Sequence, residues 1–237
     1  AVVVTSARSA TLLRRRHGLA SGHLLVLPQG FPAQARSPQA DERTSQTISD
    51  QLNLVYTGRF YLFRDPAALV RAVLAVPGVV LTVAGPELPA ALTSAFRSHP
   101  SRLRFLGPLS HPDALRLQQS ADMLVNIGNS GTTQVPGKLM EYLGAGRPIM
   151  HVRAGKGDPS AAFVAESCCG HVVANDEQSM TVLLTALMHD KRAGCLTRGL
   201  RLGEQFYLQY RWDALGDRLA ECCREVHQQW LQDRAAR

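Results

Sequence analysis

The sequence lacks a membrane-spanning segment. Its uncharged stretch from Ala72 to Pro86 is interrupted by Pro77, Gly78 and Gly85. A helix that crosses a bilayer needs about 20 consecutive apolar residues, so this stretch is too short and too broken to serve. The sequence therefore predicts no span of this kind.

Cysteine is scarce and is not spaced for metal binding. No C-x-x-C motif is present, and the odd count does not suit a closed disulfide framework. We predict reduced, partly buried thiols, as is typical of a cytoplasmic protein. The five cysteines are Cys168, Cys169, Cys195, Cys222 and Cys223.

Basic residues outnumber acidic ones, but they form no long tract. The 26 Lys and Arg against 19 Asp and Glu give a net charge of +7, which favours anionic partners such as phosphorylated ligands, nucleic acid or an acidic membrane surface. A solvated positive surface is the simpler interpretation. Apart from Arg14–Arg16 the charges are scattered, and no aromatic residues are interleaved with them. We therefore predict no nucleic-acid partner, and keep a basic surface-binding protein as an alternative.

From Asn53 onward, short apolar runs alternate with helical patterns. The runs Val79–Ala84 and Met123–Ile127 are almost continuously apolar, as in strands buried on both faces. This alternation predicts an α/β fold, a Rossmann-like parallel sheet with helices on both faces. Two further helical stretches are predicted near Ala193–Leu208 and Trp212–Leu231.

We divide the chain into four parts. Residues 1–31 are predicted to form a strand, a helix and a strand. Residues 32–52 are predicted to be a linker, because they hold too little apolar area to offset the entropy lost on ordering. Residues 53–205 form the predicted Rossmann-like domain, and residues 206–237 its C-terminal helices. Since the chain opens inside an apolar strand, we expect further sequence upstream of Ala1.

The first loop of the repeating unit, residues 57–66, carries two arginines. Parallel sheets bind ligands beyond the carboxyl ends of their strands, where this loop lies. Gly58 permits close backbone approach, and the guanidiniums of Arg59 and Arg64 can fork onto a diphosphate. Alternatively, both are surface arginines and one pairs with Asp65.

A second loop, residues 126–137, is rich in glycine and small polar residues. It leads into a helix starting near Pro136, whose free N–H groups and dipole favour an anion. The loop is no Walker A motif, because Lys138 is followed by Leu139. The alternative is a generic flexible loop.

The helix after this loop carries Lys138 and Glu141, which share one face. The carboxylate could accept hydrogen bonds from both ribose hydroxyls of a nucleotide. A solvent-facing ion pair between the two residues is the alternative. Leu139 and Leu143 are interpreted as core contacts.

Several linked segments, in order, resemble the carboxyl-terminal domain of retaining glycosyltransferases of family four, which have the two-domain GT-B fold. Tyr56–Arg59 with Arg64 resembles the family's donor-phosphate loop, and Ala121–Asn126 its strand before the donor loop. Gln134–Ile149 is similar to its donor helix and following strand. Leu25–Phe31 resembles the segment where the chain leaves the first domain, so residues 1–31 would be a remnant of the acceptor-side domain.

The resemblance implies an enzyme of hexosyltransferase type in polysaccharide biosynthesis. Arg59 and Arg64 would hold the donor diphosphate and Glu141 the ribose, and these three form the expected catalytic set. The donor would be a UDP- or GDP-sugar, with no metal or other cofactor, and the acceptor a glycan or lipid-linked molecule. The other expected donor contacts come from Gly58, Gly128, Asn129, Ser130 and Lys138.

The chain departs from the family pattern at two places. Thr133 stands where many members have the first of two glutamates, and Arg64 where lysine is usual. Most of the acceptor-side domain is also absent, so we expect transfer to require a missing domain or subunit. A non-catalytic nucleotide-binding module is the alternative. The expected location is cytoplasmic, with peripheral contact at the inner face of the membrane.

Overall fold

The computed structural model describes residues 1–33, 50–61, 64–129 and 135–235, whose strands form two parallel sheets. The small sheet has two strands and the large sheet six, in the order β5-β4-β3-β6-β7-β8. The strands in the described residues are β1 (Val2–Val4), β2 (Leu24–Val26), β3 (Leu52–Thr57), β4 (Val79–Ala84), β5 (Leu103–Phe105), β6 (Met123–Ile127), β7 (Ile149–Arg153) and β8 (Gly170–Ala174).

Helices connect the strands and cover the large sheet. Their bounds within the described residues are α1 (Ala7–His17), α2 (Ala67–Ala75), α3 (Thr93–Ser98), α4 (His111–Ser120), α5 (Gly137–Gly144), α6 (Pro159–Ser167), α7 (Glu177–Arg192), α8 (Glu204–Tyr207) and α9 (Trp212–Ala235). Short 3-10 turns add Ser21–His23, Ala90–Leu92 and Leu208–Tyr210.

Two apolar cores lie on opposite faces of the large sheet. Alternate residues of β3 point to different cores: Leu54 and Tyr56 join the core under α2 and α7, whereas Val55 joins the core under α5 and α6. This alternation follows from the two-residue period of a strand. The predicted Rossmann-like parallel sheet with helices on both faces is therefore confirmed.

Most predicted elements are observed, but one helix is wrong. β4 and β6 have the predicted bounds, and Leu139 and Leu143 of α5 are buried in the core as expected. The helix predicted over Ala193–Leu208 is mostly turns, and only α8 lies within it. Gly194 and Gly199 have φ of 66° and 78°, values in the left-handed region that interrupt a right-handed helix.

The unit formed by β1, α1 and β2 contacts the end of the chain. The backbone N–H of Phe31 donates to the Tyr210 carbonyl at 3.2 Å, and that of Trp212 donates to the Phe31 carbonyl at 3.1 Å. Arg218 of α9 also donates to the Val26 carbonyl at 3.2 Å. Residues 34–49 of the predicted linker lie outside the described residues. Nowhere in the described ranges is a helix both long and apolar enough to cross a membrane.

Candidate functional site

The two loops predicted to bind phosphate emerge side by side. β3 pairs in parallel with β6, with Leu54 opposite Met123 and Val55 opposite Leu124. Their carboxyl ends consequently lie at the same edge of the sheet, near its centre. The arginine loop follows β3 and the glycine-rich loop follows β6, which is the position where open parallel sheets bind ligands.

The backbone of Gly58, at the start of the arginine loop, lies against the loop after β4. It has φ of 141°, and its N–H donates to the Ala84 carbonyl at 2.8 Å. The neighbouring Gly85 passes so close that a Cβ there would lie 2.1 Å from the Gly58 carbonyl oxygen. Glycine at position 85 therefore lets the loops after β3 and β4 lie against each other.

Arg59 is exposed, and its backbone is held from two sides. Its carbonyl accepts a hydrogen bond from the Tyr56 hydroxyl at 2.9 Å and a longer one from Arg64 Nη1 at 3.5 Å. Tyr56 also stacks on Phe60, with ring centroids 4.3 Å apart. Among the described residues the Arg59 guanidinium has no ion-pair or hydrogen-bond partner, so its donors are accessible to a ligand.

Arg64 ties the two loops together. Its Nε donates to Oδ1 of Asn129 at 2.8 Å, and its guanidinium carbon lies 5.2 Å from the centre of the Tyr61 ring. Burial raises the pKa of Tyr56, and the nearby Arg64 guanidinium opposes that shift. The alternative pairing of an arginine with Asp65 is not observed among the described residues, where the Asp65 carboxylate accepts from the Ala67 N–H at 2.9 Å.

A buried polar chain supports the glycine-rich loop from below. The Asn126 amide nitrogen lies 2.8 Å from His151 Nδ1, and His151 Nε2 lies 2.9 Å from Asp158 Oδ2. Because an ionised carboxylate can only accept, His151 Nε2 carries a proton and donates it to Asp158. A Cβ at Gly128 would lie 2.3 Å from the same Asp158 oxygen, so only glycine fits there.

Asp158 also begins α6. Its Oδ1 accepts from the Ser160 N–H at 2.9 Å, and its Oδ2 accepts from the Ala154 N–H at 3.1 Å. Burial alone would raise the pKa of this carboxyl, but the hydrogen bonds from His151 and from these backbone groups outweigh it and hold that pKa below its usual range. Asp158 thus remains ionised and fixes the loop after β7 against Gly128.

Glu141 of α5 receives two donors on one oxygen. Lys138 Nζ lies 2.8 Å from Glu141 Oε1, and Gln118 Nε2 lies 2.5 Å from the same atom. The Lys138 and Glu141 side chains are 32% and 17% exposed, so the ion pair is partly buried rather than a freely solvated surface pair. Glu141 Oε2 accepts no hydrogen bond from the residues described here.

The end of β3 is joined directly to α5 and α4. The Tyr142 hydroxyl accepts the Thr57 N–H at 2.7 Å and donates to the Thr57 carbonyl at 3.1 Å. Thr57 Oγ1 accepts from Gln118 Nε2 at 2.9 Å. Burial raises the pKa of Tyr142, which keeps its hydroxyl protonated and able to donate.

α5 begins where the glycine-rich loop ends. Pro136 precedes the helix and provides no side-chain cap. Within the described ranges no side chain accepts from the first N–H groups of the helix, and these groups together with the helix dipole favour an anion. No cluster of three or more His, Cys, Asp or Glu that could hold a metal ion occurs in the described ranges.

A cavity of about 670 Å³ lies beside α5, and residues of α1, of α6 and of the segment just before α5 line it. Met140 lines it, together with Arg8, Phe163, Tyr210 and Arg218. None of Arg59, Arg64 and Glu141 lines this cavity. We therefore place the candidate site at the loop ends that carry these residues, and not in the cavity.

The structure places the described site residues in two groups with no direct contact between them, and their roles as ligands remain predictions. Arg59, Arg64 and Asn129 are joined through the two loops, while Lys138 and Glu141 form an ion pair on α5. Ser130 and Thr133 lie outside the described residues.

Gln118 was missed by the sequence interpretation. It lies three residues after Leu115 on α4, on the same face, and a polar residue on a buried helix face requires a partner. That periodicity was the available signal.

Several solved structures have a fold similar to that of this chain. The chain matches a sucrose-phosphate synthase from Thermosynechococcus elongatus with a TM-score of 0.72 and 18% identity, covering 96% of this chain and 58% of that one. It matches WaaG, a glycosyltransferase of lipopolysaccharide biosynthesis, with a TM-score of 0.63 and 16% identity, covering 90% and 61%. A UDP complex of MnaA from S. aureus matches with a TM-score of 0.58 and 14% identity, covering 94% and 57%.

These matches establish the Rossmann-like architecture of the GT-B fold for this chain. The chain spans about 60% of the length of these neighbours. No protein-family model matches the sequence, and no curated protein matches it.

Proposed function

We propose that this chain is the donor-binding part of a glycosyltransferase, which moves a sugar from a nucleoside diphosphate to a glycan or lipid-linked acceptor. The hydrogen bond between Arg64 Nε and Asn129 Oδ1 carries the proposal, because it joins the arginine loop to the loop leading into α5. Two arginines, a helix start and a carboxylate thereby border one edge of the sheet. The fold neighbours include glycosyltransferases and a UDP complex, which supports this choice.

The proposed chemistry is electrostatic. As the glycosidic bond breaks, negative charge develops on the departing diphosphate, and preorganised positive groups stabilise it. Arg59 and Arg64 supply that charge, and the first amides of α5 add the helix dipole. Backbone groups from Gly128 to Ser130 and at Lys138 would face the phosphates or the sugar. With this compensation the proposal needs no metal.

Glu141 is assigned to the nucleoside. Oε1 is occupied by Lys138 and Gln118, so Oε2 would accept from the ribose hydroxyls. A carboxylate suits a vicinal diol because it offers acceptor sites only. The ribose contact and the phosphate contacts would then involve separate groups, which makes them separable by mutation.

Several finer points rest on the sequence resemblance. We propose a UDP- or GDP-sugar donor, retention of the anomeric configuration and a cytoplasmic location with peripheral contact at the inner face of the membrane. Because the chain spans about 60% of its neighbours' length, we propose that transfer requires an acceptor-side domain or subunit.

Calorimetric titration of the 237-residue chain with UDP, GDP, ADP and pyrophosphate tests the proposal. We expect UDP or GDP to bind and to raise the melting temperature, since a ligand that prefers the folded state stabilises it. Absence of binding by all three nucleotides would refute it. Binding to duplex DNA or anionic vesicles that salt weakens and UDP does not relieve would favour a basic surface-binding protein. A nucleotide sugar that binds without turnover, even with an acceptor domain supplied, would favour a non-catalytic module.

A further inference from the structure

The carboxylate of Glu141 is held asymmetrically. Oε1 has two lone pairs, and Lys138 Nζ and Gln118 Nε2 approach it at 2.8 and 2.5 Å. Both donors therefore saturate one oxygen, while Oε2 has no hydrogen-bond partner in the described part of the chain. The asymmetry requires a donor on the side of α4, and Gln118 is that donor.

The Gln118 amide can take only one orientation in this network. Its two N–H groups donate to Glu141 Oε1 and to Thr57 Oγ1. The Thr57 hydroxyl lies 3.2 Å from the Tyr142 hydroxyl and donates to it, which leaves Oγ1 as an acceptor. A flipped amide would place its oxygen against the Glu141 carboxylate, which is repulsive. Tyr142 and Thr57 thus determine the direction in which Gln118 donates.

The burial of Gln118 is energetically unfavourable, and packing alone does not explain it. The residue is 0% exposed on α4, and its Oε1 has no hydrogen-bond partner among the residues described. A buried polar atom without a partner destabilises the fold, and an apolar side chain at this position would avoid that loss. The benefit of a glutamine here is its pair of donors, one of which is aimed at Glu141.

We propose that Gln118 is a positioning residue for nucleotide binding. It fixes the Glu141 carboxylate so that Oε2 alone faces the ribose diol, while Lys138 supplies charge without fixing the plane of the carboxylate. Gln118 acts through Glu141 and does not contact the ligand. The inference rests on the proposed function, because it names the group that orients the proposed ribose contact.

The first test replaces Gln118 with methionine, which keeps the volume and removes both donors. We expect Gln118→Met to weaken binding of UDP by about 10- to 100-fold, the range for one hydrogen bond to a charged group. Binding of pyrophosphate, which has no ribose, stays unchanged. Gln178→Met, on the exposed first turn of α7, is the matched control and leaves both affinities unchanged.

The second test replaces Gln118 with glutamate and measures UDP binding from pH 5 to 8. Two carboxyl groups at this separation share a proton, so the apparent pKa of the pair is raised. Below that pKa the introduced carboxyl group donates to Oε1 and affinity approaches that of the wild type. Above it the two charges repel and affinity falls. The ratio of variant to wild-type dissociation constants should therefore rise with pH.

The outcomes separate this inference from the proposed function. If the wild type binds no nucleotide, the proposed function fails. If UDP binds and Glu141→Gln weakens it, but Gln118→Met changes affinity less than about threefold, the positioning role is overturned and the proposed function stands. If the methionine variant does not fold, the pH series with Gln118→Glu provides the test. A ratio of variant to wild-type dissociation constants that does not change with pH would exclude the positioning role.

Discussion

The hydroxyl of Tyr142 lies 2.7 Å from the backbone nitrogen of Thr57, which joins α5 to the end of β3 directly beneath the candidate site. The same hydroxyl donates to the Thr57 carbonyl, so both backbone polar groups of one buried residue are satisfied by one side chain. A tyrosine hydroxyl can do this because it is both donor and acceptor. The bond holds the arginine loop and the helix that bears Glu141 in a fixed relation.

Tyr142→Phe should consequently destabilise the fold. The change leaves the Thr57 N–H buried without its partner, and such a loss costs about 1–3 kcal/mol. Urea unfolding is expected to show a lower midpoint with an unchanged slope. Tyr210→Phe is the matched control, because the Tyr210 hydroxyl has no hydrogen-bond partner in the described contacts. An equal loss in both variants would contradict this role for the Tyr142 hydroxyl.

The sequence was sufficient to predict a strand or helix wherever its local pattern agrees with its burial in the fold. β4 and β6 were predicted with the observed bounds, since each is an apolar run that is buried in the sheet and ended by glycine. The helix over Ala193–Leu208 was wrong because Gly194 and Gly199, rather than the apolar spacing, set the backbone there. Local propensity outweighed periodicity in that segment.

The contacts within the candidate site could be predicted only in part, for a physical reason. Arg59, Arg64 and Glu141 stand in loops and on a helix that the strand order brings to one edge, and that rule is readable from sequence. The hydrogen bond from Gln118 to Glu141 joins residues 23 positions apart on two different helices. Such a contact depends on how α4 and α5 pack, which no single-helix pattern contains.

Arg59→Ala should weaken binding of phosphate-bearing ligands alone. The guanidinium is exposed and has no protein partner in the described ranges, so its removal leaves the free energy of unfolding nearly unchanged. Loss of a charge partner is expected to cost about 2 kcal/mol or more in binding of UDP and of pyrophosphate, with uridine unaffected. Calorimetry measures all three ligands, with Arg97→Ala, an exposed arginine of α3, as control. Unchanged UDP affinity would remove Arg59 from the site.

Glu141→Gln should show the opposite ligand pattern. The ribose is common to uridine and UDP, so both should bind less tightly by about 10- to 100-fold, while pyrophosphate binding is unchanged. Competition titrations against a labelled UDP analogue give the three affinities. If the variant lowers the affinity for phosphate-bearing ligands only, Glu141 does not hold the ribose.

Gly85→Ala tests the close approach of the loops after β3 and β4. An added Cβ would lie 2.1 Å from the Gly58 carbonyl oxygen, so the backbone has to move. We expect a loss of about 1–3 kcal/mol in the free energy of unfolding, together with weaker UDP binding, because the start of the arginine loop is displaced. Gly22→Ala, where an added Cβ meets nothing within 4 Å, should change neither quantity. Wild-type stability in Gly85→Ala would contradict the tight packing.

Asp158→Asn should reduce stability in a pH-dependent manner. The pKa of this carboxyl is lowered in the folded protein, so its contribution is fully present above the unfolded value of about 3.9 and is lost as the pH falls through the folded value. The variant loses the ionised acceptor of the His151 Nε2–H, at a cost of about 1.5–3 kcal/mol near neutral pH. The difference in free energy of unfolding between the two proteins, measured with urea, should be constant above about pH 5 and should shrink below about pH 4. Asp176→Asn, at the exposed start of α7, is the control for a helix cap without a histidine partner and should show a smaller loss. If this difference in free energy of unfolding is equal at pH 3 and pH 7, the ionised Asp158 does not stabilise the fold through its hydrogen bond with His151.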